Sequence, residues 1–166
     1  MLNEFTRRYL LDGLRHTPDV LAHLTTEAPT ESWDHRPVAD RFTLRELVAH
    51  LADWDAVWNE RLELILTAED ARLPDRDPEQ LARDHDYGRA NPTTSLDQFQ
   101  TERAALLERL QDLNAEDWAR TGQHQVRGAF TVADLAATAL GHDSYHLAQA
   151  AAWIRAYGQR PQERSA

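Results

Sequence analysis

The chain has 166 residues, no cysteine and a formal net charge of −10, and all of its 18 basic residues are arginine. Without cysteine, disulfides, thiolate metal sites and a cysteine nucleophile are excluded. The negative net charge argues against binding to nucleic acids or anionic membranes, which requires a basic surface. We expect a single domain over residues 1–166 that lies in the cytoplasm, since the charged N-terminal stretch favours neither a signal peptide nor a membrane span.

Four segments carry apolar residues at steps of three and four positions, the spacing of amphipathic helices. They cover approximately residues 2–28, 43–67, 95–113 and 131–157. Pro18 predicts a kink or a restart in the first segment. Thr43 and Glu46 have the pattern of a capping box at the start of the second, and Thr131 opens the fourth in a similar way. In the third segment, Arg103 occupies a position of the apolar repeat.

The stretch between the second and third segments is polar, and a short helix is expected within residues 78–88. No segment alternates apolar and polar residues for long enough to predict a sheet. The pattern therefore predicts an all-α protein, a four-helix bundle with a long connector between helices 2 and 3.

The fourth helix contains the sequence GHDSYHLAQ, with His142 and His146 four residues apart. Eight histidines in 166 residues make such a pair possible by chance. The apolar stripe of this helix, however, runs from Leu135 through Ala139 and both histidines to Trp153. Both rings are therefore expected on the buried side, one turn apart, where they could bind one ion.

The second helix supplies a third candidate, His50, which borders the apolar stripe between Leu47 and Trp54. Three imidazoles from two packed helices would form a site with open positions for water or substrate, suited to zinc, nickel, copper or iron. The alternative is that these are hydrogen-bonded core histidines, or histidines exposed at a helix seam. The other five histidines lie on the first helix or in connectors and are weaker candidates.

Five neighbours of the triad are candidates for a substrate pocket or for support of the ligands. Asp143 gives the pattern H-D-x-x-H, but it is one methylene shorter than the glutamate of H-E-x-x-H hydrolases, and no third ligand follows at their spacing. It is expected to orient an imidazole or a neighbouring polar group, or to face solvent. Gln149 and Tyr145 could hydrogen-bond a ligand or substrate, or simply pack. Trp54 and Trp58 could wall the pocket, with core packing as the alternative.

A di-iron carboxylate site is excluded because no E-x-x-H occurs.

The segments FTLRELVAHLADWDAVW and GHDSYHLAQ together resemble the two helix motifs of the DinB-like (YfiT-type) superfamily. The resemblance covers about Phe5 to Tyr157, and it departs from the family where Ala148 replaces a frequent glycine. It implies a metal-binding four-helix bundle in which His50, His142 and His146 are the metal ligands.

The resemblance also implies a metal-dependent enzyme class that includes thiol-dependent transferases and isomerases, often homodimeric. The expected cofactor is a divalent metal, zinc or nickel first, with iron, manganese or copper as alternatives. A thiol-dependent S-transferase would need a low-molecular-weight thiol, because the chain has no cysteine. A metal-dependent hydrolase, a non-catalytic metal- or ligand-binding stress-response bundle, and an interaction protein without metal are the other hypotheses. The substrate would be a small molecule that the sequence does not specify.

Overall fold

Five α-helices form most of the computed structural model, which describes residues 2–26 and 28–160. They are α1 Glu4–Thr26, α2 Leu44–Thr67, α3 Pro78–Asp84, α4 Pro92–Gln111 and α5 Val132–Gly158. The four long helices form the bundle: α2 packs on α4 and α5, and α1 packs on the same two helices. The predicted all-α four-helix bundle with a long connector is confirmed. Among the described residues, no helix is long and apolar enough to cross a membrane.

The ends of the helices follow their capping residues. Thr43 and Thr131 each form a complete capping box, with Glu46 and Asp134 respectively. The predicted start of the third long helix at residue 95 was wrong by three residues, because Asn91 accepts a hydrogen bond from the N–H of Thr94 and proline occupies the first turn. The first helix continues through Pro18, so of the two predicted alternatives, a kink or a restart, the restart does not occur.

A small three-stranded sheet was not predicted. Its strands are β1 Arg72–Leu73, β2 Thr121–His124 and β3 Gly128–Thr131. β1 lies parallel to β2, and β2 pairs antiparallel with β3. The strands have only two to four residues, and the buried positions of β2 are a glycine and a histidine, so no apolar alternation marks them in the sequence.

A buried polar layer crosses the bundle between two apolar clusters. Its centre is Arg103 on α4, which is 1% exposed. Its guanidinium donates two hydrogen bonds to Asp55 of α2, at 2.8 and 2.7 Å. It also donates to Asp143 of α5 and to Thr17 of α1, both at 2.6 Å. Each long helix therefore contributes one polar group to the same layer.

Of the three alternatives given for Asp143, the contacts in the polar layer agree with a neighbouring polar group. This residue is 1% exposed and contacts neither solvent nor an imidazole; its carboxylate accepts hydrogen bonds from Arg103 and Thr17. Because Asp143 directly follows His142, this contact fixes α5 against the other helices at the level of the histidine pair. Asp143 therefore positions the helix rather than a ligand ring.

Candidate metal centre

Three histidine rings from two helices converge at one point of the bundle. His50 of α2 and the α5 pair, His142 and His146, each offer a ring nitrogen, and these nitrogens all lie within 4.8 Å of one another. The Nε2 atoms of His50 and His142 are 3.0 Å apart. His50 and His146 are 3% and 7% exposed, and His142 is half-buried. The structure thus brings together the three residues that the sequence selected.

All three imidazoles are neutral at neutral pH. Burial, together with the charges of His142 and His146, lowers the pKa of His50 to about 2. Burial also lowers the pKa of His142 to about 3, helped by His146, Arg103 and Arg127. The pKa of His146 falls to about 4, mainly through burial. Neutral imidazole is the form that binds a metal ion, so the lone pairs are available without loss of a proton.

The facing Nε2 atoms of His50 and His142 fit a metal ion. They are 3.0 Å apart, so without an ion one of them must carry a proton to form a hydrogen bond with the other. A metal ion between them would instead accept both lone pairs. Nothing among the surrounding described residues closes such a site, because no fourth histidine, aspartate or glutamate joins the cluster.

The metal-free protein is expected to lose stability on acidification. The unfolded histidines take up protons near pH 6.5, whereas the folded ones resist until about pH 4 to 2. The contribution of these histidines to the free energy of unfolding is therefore complete above pH 6.5. It falls as the pH drops below that value, by up to about 1.4 kcal/mol per pH unit for each histidine. Urea unfolding with a chelator at pH 7.5 and 5.5 measures this slope. A variant His50→Leu should have a shallower slope; equal slopes, or higher stability at pH 5.5, would contradict the assignment.

Gln149 orients one of the three rings. Its Oε1 lies 3.0 Å from Nδ1 of His146. Because an amide oxygen can only accept, Nδ1 carries the proton and Nε2 keeps its lone pair for the cluster. Hydrogen bonds of this kind fix the tautomer and the direction of a metal-binding histidine. The prediction that Gln149 could hydrogen-bond a ligand residue agrees with this contact.

Replacing Gln149 with alanine is expected to weaken metal binding without abolishing it. Loss of a partner that orients a ligand typically costs about 10- to 100-fold in metal affinity. Competition with a chromophoric chelator measures the change. The matched control is Gln111→Ala, since Gln111 is exposed at the end of α4. An unchanged affinity in Gln149→Ala would show that the contact does not support the site.

The triad lies in the wall of a pocket of about 680 Å³. The other predicted residues that line it are Trp54, Trp58, Tyr145 and Gln149, whereas Asp143 does not. The two tryptophans are buried, and their indole N–H groups have no partner among the described residues. Tyr145 is half exposed, and its hydroxyl accepts a hydrogen bond from Arg41 at 2.8 Å. The pocket thus combines an aromatic wall with a half-exposed tyrosine.

Several pocket residues were missed by the sequence analysis. Phe42 packs against the ring of His50, with ring centroids 5.0 Å apart, and Arg41 precedes it in the loop before α2. Arg127 reaches the pocket from the turn between β2 and β3. An arginine in a loop has no periodicity to place it, so only the fold could identify these groups.

The remaining histidines lie outside the cluster. His16 and His23 are exposed on α1, and His35 lies in the loop before α2. His85 is exposed and contacts Asp53. His124 is buried beside the hairpin turn, where its Nδ1 accepts hydrogen bonds from backbone N–H groups.

A four-helix bundle with three neutral histidines at one pocket defines a class of bundles suited to binding a divalent metal. Residues 14–150 match the family model of the DinB superfamily, and the chain therefore belongs to this superfamily. Among solved structures, it is similar to YfiT from Bacillus subtilis, described as a probable metal-dependent hydrolase with an unusual four-helix bundle topology. The two share 21% identity with a TM-score of 0.87, over 96% of this chain and 92% of YfiT. No curated protein matches the chain in sequence.

Proposed function

We propose that the protein is a metal-dependent enzyme whose ligands are His50, His142 and His146. The observation that carries this proposal is the combination of three converging neutral imidazoles with a pocket and without a fourth protein ligand in the described chain. Structural metal sites are usually closed by four protein ligands, whereas catalytic sites keep a position open. A sequestration site would not need a pocket of this size beside the ligands.

When bound, a divalent ion with an open position lowers the pKa of a water or thiol and supplies a nucleophile near neutral pH. The residues of the chain then have separate tasks. Gln149 holds the ring of His146. Trp54 and Trp58 give a flat apolar wall for the second reactant and exclude water from it. The Tyr145 hydroxyl, held by Arg41, can donate a hydrogen bond to a group in the pocket.

A thiol-dependent S-transferase is the first candidate reaction. The low-molecular-weight thiol would lose its proton to solvent, and its sulfur would form a bond to an electrophilic carbon of the substrate. The bond from that carbon to the leaving group would break, and the leaving group would depart with the electron pair. The pocket volume of about 680 Å³ lies within the range for small-molecule sites, which run from about 300 to 1,000 Å³. The thiol must come from outside the chain, which has no cysteine.

Hydrolysis is the second candidate, favoured by the structural similarity to YfiT, a probable metal-dependent hydrolase. In that case water replaces the thiol as nucleophile, and the same wall and donors hold an ester or amide substrate. The histidines and Gln149 would have the same tasks in both reactions. The two candidates therefore differ only in the nucleophile that reaches the open position.

The test starts from protein purified without a polyhistidine tag. Its metal content is measured, with zinc and nickel expected first and iron, manganese or copper as alternatives. Turnover is then assayed with bacillithiol, mycothiol or glutathione plus an electrophile, and separately with esters and amides. Activity with a thiol that is lost in His142→Ala supports the transferase, and activity without a thiol supports the hydrolase. Stoichiometric metal with no turnover in either screen would favour the non-catalytic binding protein.

A further inference from the structure

Several arginines line the pocket, although the protein as a whole is strongly acidic. Three arginines line it, namely Arg36, Arg41 and Arg127, although the whole chain has a net charge of −10. Arg36 is paired with Glu46 at 2.7 Å. Among the described residues, no carboxylate lies within ion-pair distance of Arg41 or Arg127. Two guanidinium groups at the pocket are therefore free of a counter-charge.

The fold holds Arg127 at the tip of a short, fixed hairpin. The ring of the buried His124 accepts hydrogen bonds from the backbone N–H groups of Val126 and Arg127, at 3.2 and 3.3 Å. Gly128 follows with a φ of +76°, a conformation that residues with a side chain rarely adopt. The turn thus presents Arg127 to the pocket from the side of β2 and β3, whereas Arg41 approaches from the loop before α2.

A fourth arginine, Arg61, packs against the two tryptophans of the pocket wall. The guanidinium carbon of Arg61 is 5.4 Å from the ring centre of Trp54 and 5.1 Å from that of Trp58. Arg61 is 1% exposed, and its Nε and Nη1 have no hydrogen-bond partner in the described chain. Its charge is only weakly screened by water because it is buried, and nearby charges of both signs act on it, Asp75 and Glu60 among them.

Two acidic residues also line the pocket. Asp40 and Glu79 are exposed, as are Arg41 and Arg127, so solvent screens these charges of both signs alike. A side-chain oxygen of Glu79 lies 3.8 Å from a guanidinium nitrogen of Arg83, outside the pocket. Recognition of an anion therefore depends on direct hydrogen bonds from Arg41 and Arg127 rather than on the net charge of the pocket.

We propose that the pocket binds a small organic anion, a carboxylate or phosphate carried on a flat apolar body, with Arg127 and Arg41 recognising the charge. The apolar body lies against Trp54 and Trp58, and the anionic group bonds the two free guanidinium groups. Guanidinium and carboxylate or phosphate form strong, directional hydrogen bonds. This inference deepens the proposed enzyme function and rests on it for the reaction, since it names the substrate class of the same site.

Isothermal titration with three probes of similar shape tests the proposal. Benzoate and phenyl phosphate carry the anionic groups, and benzamide is the neutral counterpart. Each is titrated into metal-free and metal-loaded protein. Binding of at least one anion to the metal-free protein is expected, at least about tenfold tighter than benzamide. The tighter of the two anions identifies the preferred head group.

Matched variants decide whether the arginines are responsible. Arg127→Gln and Arg41→Gln should each weaken anion binding about tenfold, and Arg127→Gln should leave benzamide binding unchanged. Arg8→Gln, on the exposed face of α1, makes the same change of charge away from the pocket and should have no such effect. The proposal is overturned if neither anion binds the metal-free protein, if benzamide binds as well as the anions, or if Arg8→Gln weakens binding as much as Arg127→Gln.

Metal content, measured on the same samples, separates this inference from the proposed function. Wild-type protein that binds no metal but shows anion binding dependent on Arg127 would refute the enzyme proposal and leave the anion site standing. Stoichiometric metal together with anion binding that does not depend on Arg127 would refute the anion site and leave the enzyme proposal standing.

Discussion

Replacing Arg103 with leucine is expected to lower the free energy of unfolding by roughly 3–5 kcal/mol, because breaking a buried ion pair leaves uncompensated charge. The variant would leave two carboxylates, Asp55 and Asp143, without their cation in a layer that is 1% exposed. Burial lowers the pKa of Arg103, but the two carboxylates outweigh burial and raise it above its ordinary value. The guanidinium is therefore charged at every pH at which the protein folds. Urea unfolding measures the loss.

The matched control for this variant is Arg109→Leu, on the same helix. Arg109 pairs with the exposed Glu63, and pairs of this kind contribute less than about 1 kcal/mol. A similar small loss in both variants would show that the polar layer does not hold the bundle together. Such a result would also contradict the inference that the polar layer fixes the position of α5 at the level of the histidine pair.

Replacing His142 with alanine is expected to abolish stoichiometric metal binding. Two imidazoles would remain, which are too few to hold the ion against water and buffer. The stabilisation that metal gives to the folded state would go with it; this amounts to about 4 kcal/mol when the free metal is a thousandfold above its dissociation constant. Elemental analysis and thermal unfolding with and without added metal measure the two effects.

The control for the metal experiment is His16→Ala, since His16 is exposed on α1. This variant should keep the metal content and the thermal shift of the wild type. Normal metal content in His142→Ala would contradict the assignment of the triad. Loss of metal in both variants would indicate that the effect does not come from the cluster.

The long helices and the triad could be predicted because both follow from periodicity. Apolar residues at steps of three and four placed His50, His142 and His146 on buried faces, and the threonine caps marked where α2 and α5 begin. Packing of those two helices then brings the rings together. The geometry of the cluster thus depends on helix faces, which a sequence encodes directly.

Contacts between distant segments could not be predicted in this way. Arg103 stood in the apolar repeat of its helix, an unusual place for a charge, but its partners lie on three other helices. For Asp143 the sequence left an imidazole, a neighbouring polar group and solvent as alternatives, and it could not name the polar partners, because they are 40 and 126 residues away. The pocket arginines come from loops and from the turn between two strands, which are too short to show an alternation of apolar and polar residues.

X-ray absorption at the metal edge of tag-free protein tests the triad most directly. One ion per chain, with three imidazole nitrogens and at least one exchangeable light-atom ligand, is the expected result. Loss of the metal edge itself in His142→Ala would tie the bound ion to this residue. Protein without stoichiometric metal, or an ion enclosed by four protein ligands, would contradict a catalytic metal centre at His50, His142 and His146.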